Sequence, residues 1–310
     1  MNVERYPLEP GPWPHRLALA AALAAVPLVL FGGSVTTIGA GMAVDGWLVA
    51  EGHFLLFFPV EEWFRDTATF VEHTHRLFGV LVGIFVLAAV VASFLRERAA
   101  ARALSLASLI AVCGQGALGG LRVLEDDSQL AFLHGALAQA VFALLCAHAL
   151  FLSPAWRRTP VRATAAHPSV HRLAAVAGIA VYLQVVLGAW LRHASRPSPE
   201  ANAELLLLAH AVGAVLAAGV LIALARSARR TFPAQARRLV LLLAVQLFLG
   251  VLSWIAARPE SIGPLEWGVT IAHVLCGGLL LAQTVALWMW ASRQAAPVPV
   301  CEIVPLREAL

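Results

Sequence analysis

The sequence predicts an all-α integral membrane protein: eight transmembrane helices forming two pseudo-symmetric four-helix bundles. Three observations carry that prediction. Of 310 residues, 60% are hydrophobic and only 13% are charged, whereas roughly a quarter are charged in ordinary soluble domains. The apolar residues fall into runs of the roughly 20 residues needed to cross a bilayer. The two halves also repeat each other around a Pro- and Arg-rich break, "SPAWRRTPVRATAAHPSV" (153–170). The +4 formal charge comes mostly from short loops, which suits membrane topology and not nucleic-acid binding.

The spans are expected near 17–39, 70–95, 103–123, 130–152, 172–192, 204–225, 238–256 and 267–291. Pro27 falls inside the first, which membrane helices tolerate. The first apolar run is full length and lacks a small-residue exit site, so it reads as a span and not as a cleaved signal. All the basic residues are arginines, and they sort the loops. "RERAAAR" (96–102), "RRTPVR" (157–162) and "RSARRTFPAQARR" (226–238) share one side with both termini. Arg65, Arg122, Arg192, Arg196 and Arg258 lie on the other, mixed with acidic residues. The positive-inside rule places both termini in the cytoplasm. Residues 1–153 then form the first unit, with an outer loop at 40–69. Residues 154–169 form a cytoplasmic linker, and 170–310 the second unit and tail. Within the loop, "HFLLFFPVEEWF" (53–64) is amphipathic and suits the membrane surface.

Odd spans carry Q-x-x-x-G: Gln115/Gly119, Gln184/Gly188 and Gln246/Gly250. Taken alone, the pattern reads as helix packing. Even spans each carry one histidine near the outer end: His75, His134, His210 and His273. Ionisable residues inside a bilayer are rare and usually functional. One histidine could be a packed, hydrogen-bonded side chain. Four at one depth, on alternate helices and in two matched pairs, point to cofactor ligation. Two neutral imidazoles facing across a four-helix bundle suit the axial positions of a haem iron. Zinc would need four ligands in a tetrahedron, and copper fits less naturally. None of the four cysteines pairs by spacing as a disulfide or metal clip. His148 follows His134 at a two-haem spacing, but span 2 has no matching partner, so it reads as a packed residue. His15, His53, His167 and His171 fall in loops or at helix ends and receive no role.

The stretch "VEHTHRLFG" (71–79) opens the second span with a dense polar cluster. Glu72 and His75 share a helix face with Arg76, and His73 points to the other side. Gly79 follows His75 by four, as Gly277 follows His273, which favours His75 over His73 as the ligand. Glu72 has no counterpart beside His210 or His273. It could cap the helix, pair with Arg76, or act in proton transfer or charge stabilisation. Arg76, Arg122 and Arg192 are candidate contacts for haem propionates, or interfacial residues that snorkel.

These residues resemble the haem A synthase family. "GGSVTTIGAGMAVDGW" (32–47), "EHTHRLFG" (72–79), "QGALGGLRV" (115–123), "QVVLGAWLRH" (184–193) and "QLFLGVLSW" (246–254) are similar to that family's motifs, over about residues 17–291. The resemblance implies oxidation of the C8 methyl of haem O to a formyl group through hydroxylated intermediates, supplying haem A for cytochrome c oxidase. It implies substrate haem on His75 and His134, assistance from Glu72, and a haem b on His210 and His273. It also implies a haem O synthase and oxidase assembly factors as partners, and leaves room for a homo-oligomer. Some members carry a cysteine pair in the outer loop. Residues 40–69 here contain none, so no redox disulfide can be assigned and the electron partner is unknown. Two other readings compete. A di-haem b electron-transfer cytochrome would hold two permanent haems and have a dispensable Glu72. A transporter would bind near the midplane through broken helices, whereas the polar residues here cluster at the outer ends.

Overall fold

In the computed structural model, described over residues 11–159, 168–194, 201–257 and 262–295, eight helices are long and apolar enough to span a membrane. They are α1 (Trp13–Thr37), α3 (Thr67–Arg96), α4 (Ala99–Leu124), α5 (Ser128–Leu152), α7 (Pro168–Ala194), α8 (Ala201–Ala228), α9 (Pro233–Ala256) and α10 (Pro264–Ala295). Two short helices, α2 (Val60–Trp63) and α6 (Pro154–Arg158), lie in connections. All eight predicted spans are present. Each extends a few residues beyond its expected start, and two of them, α3 and α5, begin at a polar cap. Asp66 caps α3 by accepting from Thr69 N at 2.9 Å, and that bond holds its carboxyl below the usual carboxylate range. Asp127 caps α5 through Gln129 N and Leu130 N. His167, Arg196, Arg258, Cys301 and linker residues 160–167 lie outside the described residues.

Among the first four spans, α1 packs on α3 and α5, and α4 packs on the same two. Among the last four, α7 and α9 each pack on both α8 and α10. Small residues make these approaches close: Ala18, Ala21, Ala22 and Ala25 of α1 are buried against Val82, Val86 and Ala89 of α3. Apolar side chains such as Leu23, Ile110 and Leu241 face outward, as lipid allows. The two sets meet where α5 touches α7 and α10, and where α1 touches α10. Arg192 of α7 crosses that seam and donates to Gly33 O at 3.0 Å and Thr37 Oγ1 at 2.8 Å on α1. Trp267 Nε1 donates to Ser34 Oγ at 2.9 Å.

The outer loop is folded. It contributes a hairpin of β1 (Val49–Ala50) and β2 (His53–Phe54), a 3-10 turn at Leu55–Phe57, and α2. Glu51 and Gly52, with φ of 48° and 83°, supply the two positive-φ positions of a tight hairpin turn. Val44, Ala50 and Phe58 form a small core, while Phe57 and Phe64 remain exposed.

Candidate functional site

The four histidines form two facing pairs. The rings of His75 on α3 and His134 on α5 lie 6.3 Å apart, nearly perpendicular at 85°. Those of His210 on α8 and His273 on α10 lie 6.5 Å apart at 71°. All four are partly exposed, in contrast with the fully buried Glu72 and His73 beside them.

Each histidine is seated on the helix before it in sequence. A Cβ on Gly32, Gly119, Gly188 or Gly250 would fall 2.8, 2.8, 3.0 or 3.0 Å from the Cε1 of His75, His134, His210 or His273, respectively. Only glycine lets the ring lie this close to the neighbouring backbone. The glutamine four residues before the glycine then reaches the imidazole. Gln115 Nε2 is 3.1 Å from His134 Nδ1, and Gln184 Nε2 is 3.0 Å from His210 Nδ1. Gln246 Nε2 is 3.2 Å from His273 Nε2. Q-x-x-x-G, read from sequence as packing, is therefore the seat of the histidines. On α1 the equivalent position is Leu28, whose carbonyl accepts from His75 Nδ1 at 3.0 Å. Sequence reasoning missed Leu28, because a backbone acceptor leaves no side-chain signature. The equal offset, Leu28 to Gly32, was the available signal.

Beside the first pair, Glu72 is 1% exposed. It is not the helix cap, a role that Asp66 fills at the start of α3. Its Oε1 accepts from Arg76 Nη2 at 2.8 Å, its Oε2 from the Val44 N–H at 3.0 Å, and Arg122 Nη2 lies 3.9 Å from Oε1. Arg76 also donates to Val44 O and Gly46 O, both at 2.8 Å. Gly46, at φ 83°, takes a conformation that a side chain would disfavour, and its carbonyl meets Arg76. Glu72 and Arg76 thus tie the outer loop to α3 directly above the His75–His134 pair. Arg122 lies against Gly41, and Trp47 packs on Gly120, which closes the loop over α4. Arg192 spends its bonds to α1 across the seam.

His73 points away from the pair into the loop. Its ring lies 4.6 Å from that of Phe58 and 5.2 Å from that of Trp63. His148 is buried, with Nε2 2.9 Å from Ser105 Oγ, which in turn donates to Ser93 Oγ; it is a packed residue, as the sequence suggested. His53 is exposed, His15 meets Ala149 O, and His171 stacks with Trp288. Cys113, Cys146 and Cys276 are free thiols. Among the described residues, no three His, Cys, Asp or Glu side chains converge on a common point as a metal cage would require.

No curated protein matches the chain. Residues 15–196 match the family model COX15-CtaA, described as cytochrome oxidase assembly protein. That span runs from α1 to the end of α7 and includes Glu72, Arg76, His75, Arg122 and His134, whereas His210 and His273 lie beyond it. With more than half its length matched, the chain belongs to the COX15-CtaA family of cytochrome oxidase assembly proteins, the haem A synthases.

Proposed function

We propose that the protein is a haem A synthase that oxidises the C8 methyl of haem O to a formyl group through hydroxylated intermediates. The first four spans act as the substrate unit and the last four as a pseudo-symmetric haem b unit, in a bacterial inner membrane with both termini cytoplasmic. The observation that carries the reading is the two facing histidine pairs, with the buried carboxylate of Glu72 one helical turn from His75 of the first. Two axial bonds of about 2 Å, with the rings added, separate imidazole centres by roughly 6 Å across one metal ion. Both pairs suit that spacing, and two nitrogen donors per site fit a haem iron.

His75 and His134 would hold the substrate haem, next to the outer loop that Glu72 and Arg76 anchor. Each oxidation replaces one C–H bond of the methyl carbon by C–OH with the oxygen taken from water, releasing two electrons to an external acceptor and two protons, one from the carbon and one from the water. The doubly hydroxylated carbon then loses water to leave the formyl group. Glu72 is placed to move a proton or to stabilise positive charge there, with Arg76 and the Val44 N–H fixing its orientation. Arg122 is the best-placed propionate partner, since Arg76 and Arg192 already donate to backbone carbonyls. His210 and His273 hold haem b, which supplies one-electron transfer when bound. Haem O synthase and oxidase assembly factors are the natural partners, and the electron acceptor has no assigned residue.

The test is chromatographic identification of haems extracted from the full-length protein made in cells that produce haem O. Haem b with haem O, its hydroxylated form or haem A is the expected result. Haem b alone, at about two per chain by the two-site reading, would replace the enzyme with a di-haem electron carrier. In the same assay, Gly119→Ala is expected to push His134 out of place and weaken substrate-haem retention by roughly ten-fold, as overpacking of about 1–3 kcal/mol implies. The haem b content should not change.

A further inference from the structure

Three of the four histidine seats carry a glutamine; the fourth has the Leu28 carbonyl in its place, and it falls on the substrate pair. A backbone carbonyl can only accept a hydrogen bond. Leu28 O therefore fixes the His75 proton on Nδ1 and leaves the Nε2 lone pair free for a metal. Gln115 imposes the opposite arrangement on His134. Its Nε2 lies 2.7 Å from the His134 carbonyl, which orients the amide with its NH2 group toward the histidine. The second N–H of that group meets Nδ1 at 3.1 Å. Nδ1 then accepts, and the ring proton sits on Nε2, the nitrogen that would face an iron. Gln184 treats His210 the same way, at 2.7 Å and 3.0 Å. His273 has its Nδ1 unpartnered and the Gln246 N–H directed at its Nε2. Among the four, His75 alone has an acceptor-only partner on Nδ1.

We infer that His75 is the anchoring ligand of the substrate pair. It engages haem iron first, and His134 follows once the Gln115 amide turns away from Nδ1 and the ring proton moves there. Leu28 and Gln115 are positioning residues that create this difference. The inference rests on the assignment of His75 and His134 to the substrate haem. It adds an order of capture, and the reverse order of release, suited to a ligand that must enter and leave.

The experiment compares His75→Ala, His134→Ala and His75→Ala/Gln115→Met in the full chain, purified from cells making haem O. Haem content and spin state are read by absorption and electron paramagnetic resonance. The low-spin haem of the His210–His273 pair, measured in the same samples, reports a folded chain. His134→Ala is expected to retain substrate haem in a high-spin, single-histidine form, at about five-fold the level left in His75→Ala, as one hydrogen bond's preference implies. Adding Gln115→Met to His75→Ala is expected to raise retention, because His134 is then free to take the ligating tautomer. A purely structural glutamine would give a further loss. Equal retention in the two single variants, or a further loss in the double variant, would overturn the order of capture while leaving the ligand assignment intact. If neither single variant changes haem content or spin state from wild type, the ligand assignment itself falls, and the inference with it.

Discussion

Glu72→Gln is expected to keep haem O in the first four spans and to lower its oxidation by about 10²-fold or more, the range for removing a positioned proton-transfer group. The amide keeps an oxygen for Arg76 or for the Val44 N–H, so the loop stays anchored over the histidine pair. What it removes is the charge and the capacity to take up a proton. Glu72→Ala removes more. It leaves the Val44 N–H without its acceptor and Arg76 with only carbonyl partners. Breaking a buried pair from one side costs about 3 kcal/mol or more. The alanine variant should therefore also bind haem O and fail to oxidise it, but with a lower melting temperature. The measurement is product distribution by chromatography, alongside thermal unfolding followed by the haem spectrum. Wild-type yield from Glu72→Gln, with a stability loss confined to Glu72→Ala, would reduce Glu72 to a loop anchor.

That prediction depends on a contact the sequence could not reveal. The polar cluster at 71–79 was visible, because charge is conspicuous in an apolar run. So were the eight spans, because bilayer thickness fixes their length. The glycine and glutamine spacings were visible too, although their purpose was not: a helical offset of four gives a shared face but does not say which neighbour occupies it. The structure supplies the neighbour, and it is the histidine of the following span each time. Other contacts had no local signature. Val44 N reaches Glu72 from 28 residues away, and Arg192 reaches Gly33 from 159. In the outer loop the apolar residues serve two purposes: Val44, Ala50 and Phe58 turn inward to make a core, and Phe57 and Phe64 turn outward. Periodicity cannot separate these in so short a segment.

His210→Ala and His273→Ala carry the other large effect, and they test the asymmetry from the opposite side. Each removes one imidazole of a pair whose rings are 6.5 Å apart. Loss of an axial nitrogen should exceed the roughly 10–100-fold affinity loss typical of an outer partner of a metal ligand. Either variant is thus expected to lose haem b, about one equivalent per chain on a two-site reading, while haem O remains on His75 and His134. The seats support that separation: Gly188 and Gly250 hold this pair and Gly32 and Gly119 the other, with no glycine shared. Oxidation is nonetheless expected to stall, because on the proposed reading the haem held by this pair relays electrons from the substrate unit. The informative sample is the variant with haem O bound and haem b absent, examined for product. Full product formation in it would mean that electrons leave the substrate unit directly, through the outer loop. Retention of haem b in both variants would mean that its ligands lie elsewhere, and the pseudo-symmetry of the two units would then be structural and not chemical.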